Sequence, residues 1–436
     1  MTTTIHAGRK WQAPNQSPDG PNTASRRVTQ PHMRETLTLV KMLSQYNPVY
    51  DRLAWLSLQT ALVLSQTCRQ LRRAYLERWR VDGRLRRFVQ NPQHLRSELG
   101  KYASLISGSF ALQFFAQEQW PESDLDIFVE QGPAMESLER HLQEDEHYCL
   151  ISTADHSEYA MRTLVQIRTY HRPSAVDPER AKVQLIVTSQ MPILGILGGF
   201  YTTAVLNVIS WNKAYALFAR DTFLDRTTYM LKPLDTYFET LLRKYKRRGW
   251  SWAEIMRPED YSPRTSIQPN RRLGDRHTWT ISLPTEGVEK APQPDLVLEY
   301  SCFMLQPRRT RSNPTTLSYL LSAEPFQHLS LNYRYVRAGR LTWIGFLAER
   351  LHSYAKLDIL AMEPKDRPKW VRRDERFHYN IMDDFYHNSD VLTQFQKPKD
   401  WRTFDSEIPR WYKQWYSSLS PQALEFPAEL EDQSDF

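Results

Sequence analysis

Four residues between Ser104 and Glu130 have the types and spacing of a phosphate-handling site. Gly108 and Ser109 close a short apolar run, and Asp124 and Asp126 stand two apart inside "DLDIFVE". A glycine lets the backbone approach a phosphate with no Cβ in the way. A serine amide and hydroxyl at the mouth of a helix donate to anions, which the helix dipole also favours. Carboxylates at positions i and i+2 of a strand project to one face, where they can share a divalent metal through oxygen. Such parts suit phosphoryl or nucleotidyl transfer, in which donors hold the phosphates and a metal activates an attacking hydroxyl.

The surrounding pattern predicts the elements that would hold them. "ASLISGS" reads as a short apolar segment ending in a turn, and "FALQFFAQEQ" as a helix that Pro121 stops. "DLDIFVE" alternates with period two and predicts a strand. Residues 133–147 predict a charged helix, while "MRTLVQIRTY" and "KVQLIVT" predict two more strands. The long apolar stretch "GGFYTTAVLNVISWNKAYAL" predicts a helix packed on the sheet, with Gly198-Gly199 as a close-packed bend. Strands and helices thus mix in one unit over 100–219.

This order of apolar segment, Gly-Ser, helix and Asp-x-Asp strand resembles the nucleotidyltransferase superfamily, the DNA polymerase beta-like fold. The resemblance covers about a quarter of the chain, and 14 residues lie between Ser109 and Asp124. It implies a nucleotidyltransferase-like mixed sheet with flanking helices, phosphate contacts from Gly108 and Ser109, Mg²⁺ on Asp124 and Asp126, and an NTP as ligand. The superfamily places a third carboxylate on a later strand as general base. The matching position here is Gln184, whose amide cannot take a proton at neutral pH. Asp155 and Glu158 are the nearby acids that could stand in. A Gly-Ser-Phe-Ala-Leu-Gln-Phe-Phe helix followed by that glutamine is similar to a large set of fungal proteins. Two outcomes are therefore expected: NTP and Mg²⁺ binding with transfer, or the same fold with transfer lost.

Residues 31–99 predict helices. Leu64, Cys68, Leu71, Tyr75 and Trp79 recur at helical spacing. Cys68-Arg69-Gln70-Leu71-Arg72 resembles the end of an F-box-like motif, and Tyr46-Asn47-Pro48 stands where its Leu-Pro pair would be. That resemblance implies a protein partner bound through the N-terminal helices, a non-catalytic adaptor. The plainer reading is an amphipathic helix docked on the next domain. Eight arginines crowd residues 69–87. They can track nucleic-acid phosphates or form a solvated face with salt bridges, the account preferred here. The run Arg243, Lys244, Lys246, Arg247, Arg248 can serve a helix C-terminus or form a basic rim beside a nucleotide site. "RRLGDRHTWTISL" reads as structural.

Composition sets the remaining bounds. The net charge is +7, but residues 1–100 carry 16 Lys+Arg against 6 Asp+Glu, and the rest of the chain is slightly acidic. The basic balance therefore belongs to the N-terminal region and does not by itself imply a nucleic-acid partner. Cys68, Cys149 and Cys302 form no CxxC pair, and the 12 histidines show no HExxH or Cys/His zinc spacing. The leader lacks an apolar h-region, and no run of ~18 apolar residues exists, so a soluble protein of the cytoplasm or nucleus with no membrane partner is expected. The expected class is α+β: a disordered leader over 1–30, helices over 31–99, the sheet domain over 100–219, and over 220–436 a helical extension and mixed α+β region.

Overall fold

The computed structural model describes residues 58–77, 79–155, 163–172, 182–233, 235–253, 267–308, 318–339, 343–367, 372–373, 379–380 and 397–419. The expected leader, Tyr46-Asn47-Pro48 and Glu158 lie outside them. Seven strands build most of the main sheet: β1 (Leu105–Ser107), β2 (Leu125–Glu130), β3 (Cys149–Asp155), β4 (Leu164–His171), β5 (Lys182–Thr188), β6 (Asn207–Ile209) and β7 (Lys213–Ala216). An eighth, Trp279–Ser282, comes from far along the chain and pairs with β7. The order is Trp279–Ser282, β7, β6, β1, β2, β5, β4, β3. Neighbours run antiparallel except β2 and β5, which are parallel. A parallel pair needs a crossover, and the chain fills it with a helix and the β3–β4 pair.

Eleven α-helices are present among the described residues: α1 (Leu58–Thr67), α2 (Arg69–Glu77), α3 (Val81–Leu85), α4 (Pro92–Lys101), α5 (Gly108–Ala116), α6 (Pro133–Arg140), α7 (Pro192–Gly199), α8 (Thr236–Arg247), α9 (Leu296–Glu299), α10 (Trp343–Ala361) and α11 (Ile408–Ser418). The class is α+β, a mixed sheet with flanking helices, as the sequence pattern predicts. None of the described helices is long and apolar enough to cross a membrane.

Both faces of the central strands are buried, whereas β3 at one edge is exposed. Leu125, Ile127 and Val129 of β2 join Val183, Leu185 and Val187 of β5 under Leu71, Tyr75, Trp79, Phe110, Phe114 and Leu138. Phe128 and Ile186, one step out of phase, pack on Ile193, Leu194 and Leu197 of α7 on the other side. A three-stranded sheet, Asn270–Arg272, Cys302–Pro307 and Tyr319–Ser322, backs this second face through Phe303, Leu305 and Tyr319. α10 and α11 form a separate core around Trp343, Leu347 and Trp411.

The expected helix over the long apolar stretch is replaced by a short 3-10 turn, Thr203–Val205, and the β6–β7 hairpin. Ile209, Ala214 and Ala216 face one core, while Val208 and Tyr215 face the other. A strand buried on both sides reads as a continuous apolar run, which periodicity cannot distinguish from a helix. Gly198 and Gly199 are the last residues of α7. Three smaller differences concern ends. The charged helix stops at Arg140 and continues as a π-turn, His141–Asp145. The strand-like "DLVLEY" forms α9, and only Cys302–Pro307 is extended. Within 220–250 the helix begins at Thr236, where the Asp235 carboxylate accepts from the Phe238 amide at 2.6 Å.

Candidate functional site

β1 delivers Gly108 to the mouth of α5. Gly108 has φ +68°, a left-handed conformation that favours glycine. A Cβ at that position would collide with Oδ2 of Asp126. Glycine is required here on two counts, backbone conformation and contact. Ser107, just before the turn, buries its hydroxyl and donates to the Asn207 carbonyl of β6 at 2.6 Å.

One rung of the sheet gathers the candidate residues. Ser107 pairs with Asp126 across β1–β2, and Asp126 pairs with Gln184 across β2–β5. Paired positions share a face, so Asp126 and Gln184 lie side by side next to the Gly-Ser turn. Asp124 lies two residues ahead of Asp126, just before β2 begins. Asp155 ends β3, three strands from β2, roughly 14 Å away at ordinary strand spacing. It does not stand beside the pair.

The 14-residue spacer folds back on α5. Gln113 donates to the Ser109 carbonyl and to Ser123 Oγ at 3.0 and 2.6 Å, and accepts from the Trp120 amide at 2.6 Å. Arg84 donates to the Glu118 carbonyl at 2.8 Å. Arg87 donates to the carbonyls of Trp120, Pro121 and Ser123. Two arginines of the crowded N-terminal run thus hold the loop that leads into Asp124. They donate to backbone carbonyls of the chain itself, a role that neither the phosphate-tracking nor the solvated salt-bridge account named.

The carboxylates are held unusually. Burial raises Asp126 to about 7, and the neighbouring charge of Asp124 adds to the rise. Lys244 and a hydrogen bond from the Ser109 amide oppose it. Burial also raises Asp124, against the fields of Lys182, Lys244 and Arg87. Burial and the nearby Arg248 hold the Lys244 ammonium below its ordinary value, while Asp126, Asp124 and Glu122 act the other way. The basic run on α8 is therefore divided. Arg243 pairs with Glu239 along the helix at 2.9 Å, and Arg248 pairs with Glu122 at 2.5 Å and lies over the Trp120 ring. Lys244 faces the acidic pair. Lys182 was not foreseen, yet it sits two residues before Gln184, and the same period-two reading would have found it.

In chemical terms the site offers hard oxygen donors from two carboxylates and one amide, with ammonium groups around them. Oxygen donors suit Mg²⁺, and a raised carboxylate pair gains from a divalent cation that neutralises both charges. The residues present fit that ion. The Ser109 amide already donates to Asp126, so any anion at the Gly-Ser turn would compete with that carboxylate for it.

The F-box-like segment turns inward. Cys68 lies between α1 and α2 and accepts from the Leu71 amide at 3.5 Å. Leu71, Tyr75 and Trp79 are buried in the core above the sheet. Trp79 meets Phe114 of α5 and Trp279 of the edge strand edge-on, at 5.4 and 4.9 Å between ring centroids. Arg96 of α4, fully buried, donates to Asp82 and to the carbonyls of Trp211 and Pro284. The apolar row of α2 is thus taken by the chain's own core.

No protein-family model matches this chain, and no curated protein matches it. Among solved structures, a CCA-adding enzyme in its apo form I is similar over 40% of this chain and 43% of its own, with 16% identity and a TM-score of 0.27. The likeness thus spans less than half of that enzyme.

Proposed function

We propose that this chain binds a nucleoside triphosphate together with Mg²⁺, as a nucleotidyltransferase-like protein whose capacity for transfer is reduced or lost. The observation that carries this reading is the shared rung: Ser107, directly before the Gly-Ser turn, lies side by side with Asp126 and Gln184 on β1, β2 and β5. Asp124 and Asp126 would hold the metal, and Gln184 could add only a weak amide oxygen. Gly108 and Ser109 would meet the phosphates. Lys244 and Lys182 would balance the negative charge of the triphosphate. The bound ion would supply a Lewis acid at the acceptor hydroxyl and at the phosphate oxygens. The chain's own residues position the ligand, but at the third position they offer no group that takes a proton.

The test is a titration of NTPs with Mg²⁺ or Mn²⁺ against wild type and Asp124→Asn/Asp126→Asn, with nucleotide incorporation measured in parallel. Metal-dependent binding by wild type and its loss in the double variant are expected. Absence of metal-dependent binding in wild type would sink the reading, and binding that survives in the double variant would sink the site. Gln184→Glu should raise incorporation above wild type if the missing carboxylate limits the chemistry.

A further inference from the structure

Away from the Asp-x-Asp pair, the fold brings a histidine of α4 to two metal-binding side chains of the turn after α6. His94 stands on α4, and His141 and Asp145 are the first and last residues of the π-turn that follows α6. One ligand atom from each lies within 4.8 Å of the other two. His141 Nδ1 is 2.9 Å from Asp145 Oδ2, and His94 Nδ1 is 3.8 Å from the same oxygen. Ligands on a tetrahedral ion with bonds of about 2.0–2.2 Å stand roughly 3.3–3.6 Å apart; the two separations from Asp145 fall either side of that value, and the third is within 4.8 Å. The two rings meet edge-on with centroids 4.6 Å apart.

The surroundings hold the three in register. The Glu146 amide closes the π-turn on the His141 carbonyl at 3.1 Å. The buried Glu146 carboxylate, directly after Asp145, accepts from the amides of Gln90 and Asn91 at 2.6 and 3.0 Å. Asn91 in turn caps α4 by accepting from the His94 amide at 3.1 Å. One short chain of hydrogen bonds therefore fixes the strand-side turn against the start of α4. His141 is buried, while His94 and Asp145 are about half exposed, so the cluster opens to solvent on one side. The buried Nε2 of His141 has no hydrogen-bond partner. His141 Nδ1 donates to Asp145 Oδ2 in the metal-free protein, and a metal on Nδ1 would take the place of that hydrogen bond and move the proton to Nε2.

We propose that His94, His141 and Asp145 form a site for a divalent transition metal, Zn²⁺ foremost, that clasps α4 to the turn after α6. Two imidazoles and one carboxylate select borderline ions such as Zn²⁺ or Co²⁺ over Mg²⁺, and the solvent-facing side leaves room for a water as fourth ligand. Because the ion binds the folded arrangement, it stabilises the junction between the N-terminal helices and the sheet.

The test uses the full chain carrying Asp124→Asn/Asp126→Asn, so that the other carboxylate pair does not contribute. After chelation, Co²⁺ is titrated and followed by its visible absorption, with Zn²⁺ as competitor. One Co²⁺ per chain, displaced by Zn²⁺, and a higher melting temperature with metal are expected. His94→Ala and Asp145→Asn, both at accessible positions, should each weaken binding by at least about tenfold while leaving the metal-free melting temperature unchanged. No Zn²⁺-displaceable absorption, or absorption that persists in both variants, overturns the proposal.

Discussion

Two aspartates, Asp126 and Asp275, meet opposite fates in this fold. Asp275 accepts from Arg271 Nε at 2.6 Å, from Arg271 Nη2 at 3.1 Å, and from the amides of Arg272 and His277. Burial works to raise its carboxyl, but the Arg271 guanidinium and these donors outweigh burial and hold it below the ordinary range. Asp126 has one amide donor, a second carboxylate beside it and a lysine farther off, and burial lifts it to about 7. The lesson lies in completeness. A carboxylate whose acceptor capacity is filled by its own chain stays ionised to low pH, and one buried beside another acid keeps its proton to higher pH. This matches the structural reading of "RRLGDRHTWTISL".

Four experiments can break or sharpen that contrast. Arg271→Ala should have the largest effect, because Arg271 is fully buried and its loss strands a buried charge. A destabilisation of about 3–5 kcal/mol is expected in denaturant titration, and a loss under about 1 kcal/mol would erase the distinction. Gly108→Ala should cost about 2 kcal/mol through its left-handed backbone and its contact with Asp126, and should remove metal-dependent NTP binding. Normal stability in that variant would mean that the turn relaxes freely.

The third experiment works through pH. Because the folded-state pKa of Asp126 is raised, the native state holds its proton more tightly than the unfolded chain. Stability from this group is therefore full below about pH 4 and declines as pH rises toward about 7. Asp126→Asn should stabilise the metal-free protein near pH 8 and not at all near pH 4. Asp275→Asn should act in the other sense, since a depressed carboxyl contributes stability above its unfolded pKa and loses it as pH falls. Melting curves across that range decide, and equal slopes for both variants would contradict the assignment. The smallest effect is expected from Lys244→Ala: about tenfold weaker NTP binding with an unchanged melting temperature. A large drop in melting temperature instead would make Lys244 a packing residue.

Much of the central layer was legible in the sequence. Gly108 and Ser109, the helix after them and the alternation of β2 are local signals, and the parity that marked Asp126 also marked Gln184. The β6–β7 hairpin was not legible, because burial on both faces removes the alternation on which a strand assignment rests. The role of Arg84 and Arg87 was hidden too, since donation to backbone carbonyls some thirty residues away leaves no trace in composition. The meeting of His94 with His141 and Asp145 depends on how α4 lies against α6, which no spacing rule reports.

The edge strand Trp279–Ser282 also bears on synthesis. Until these residues leave the ribosome, β7 has a free edge, and Trp79, Phe115 and Phe223 lack the indole of Trp279 that packs against all three. An unpaired strand edge beside uncovered aromatic rings is an aggregation hazard for a nascent chain. The sheet is therefore completed late, and a protein truncated shortly after β7 would carry that hazard permanently.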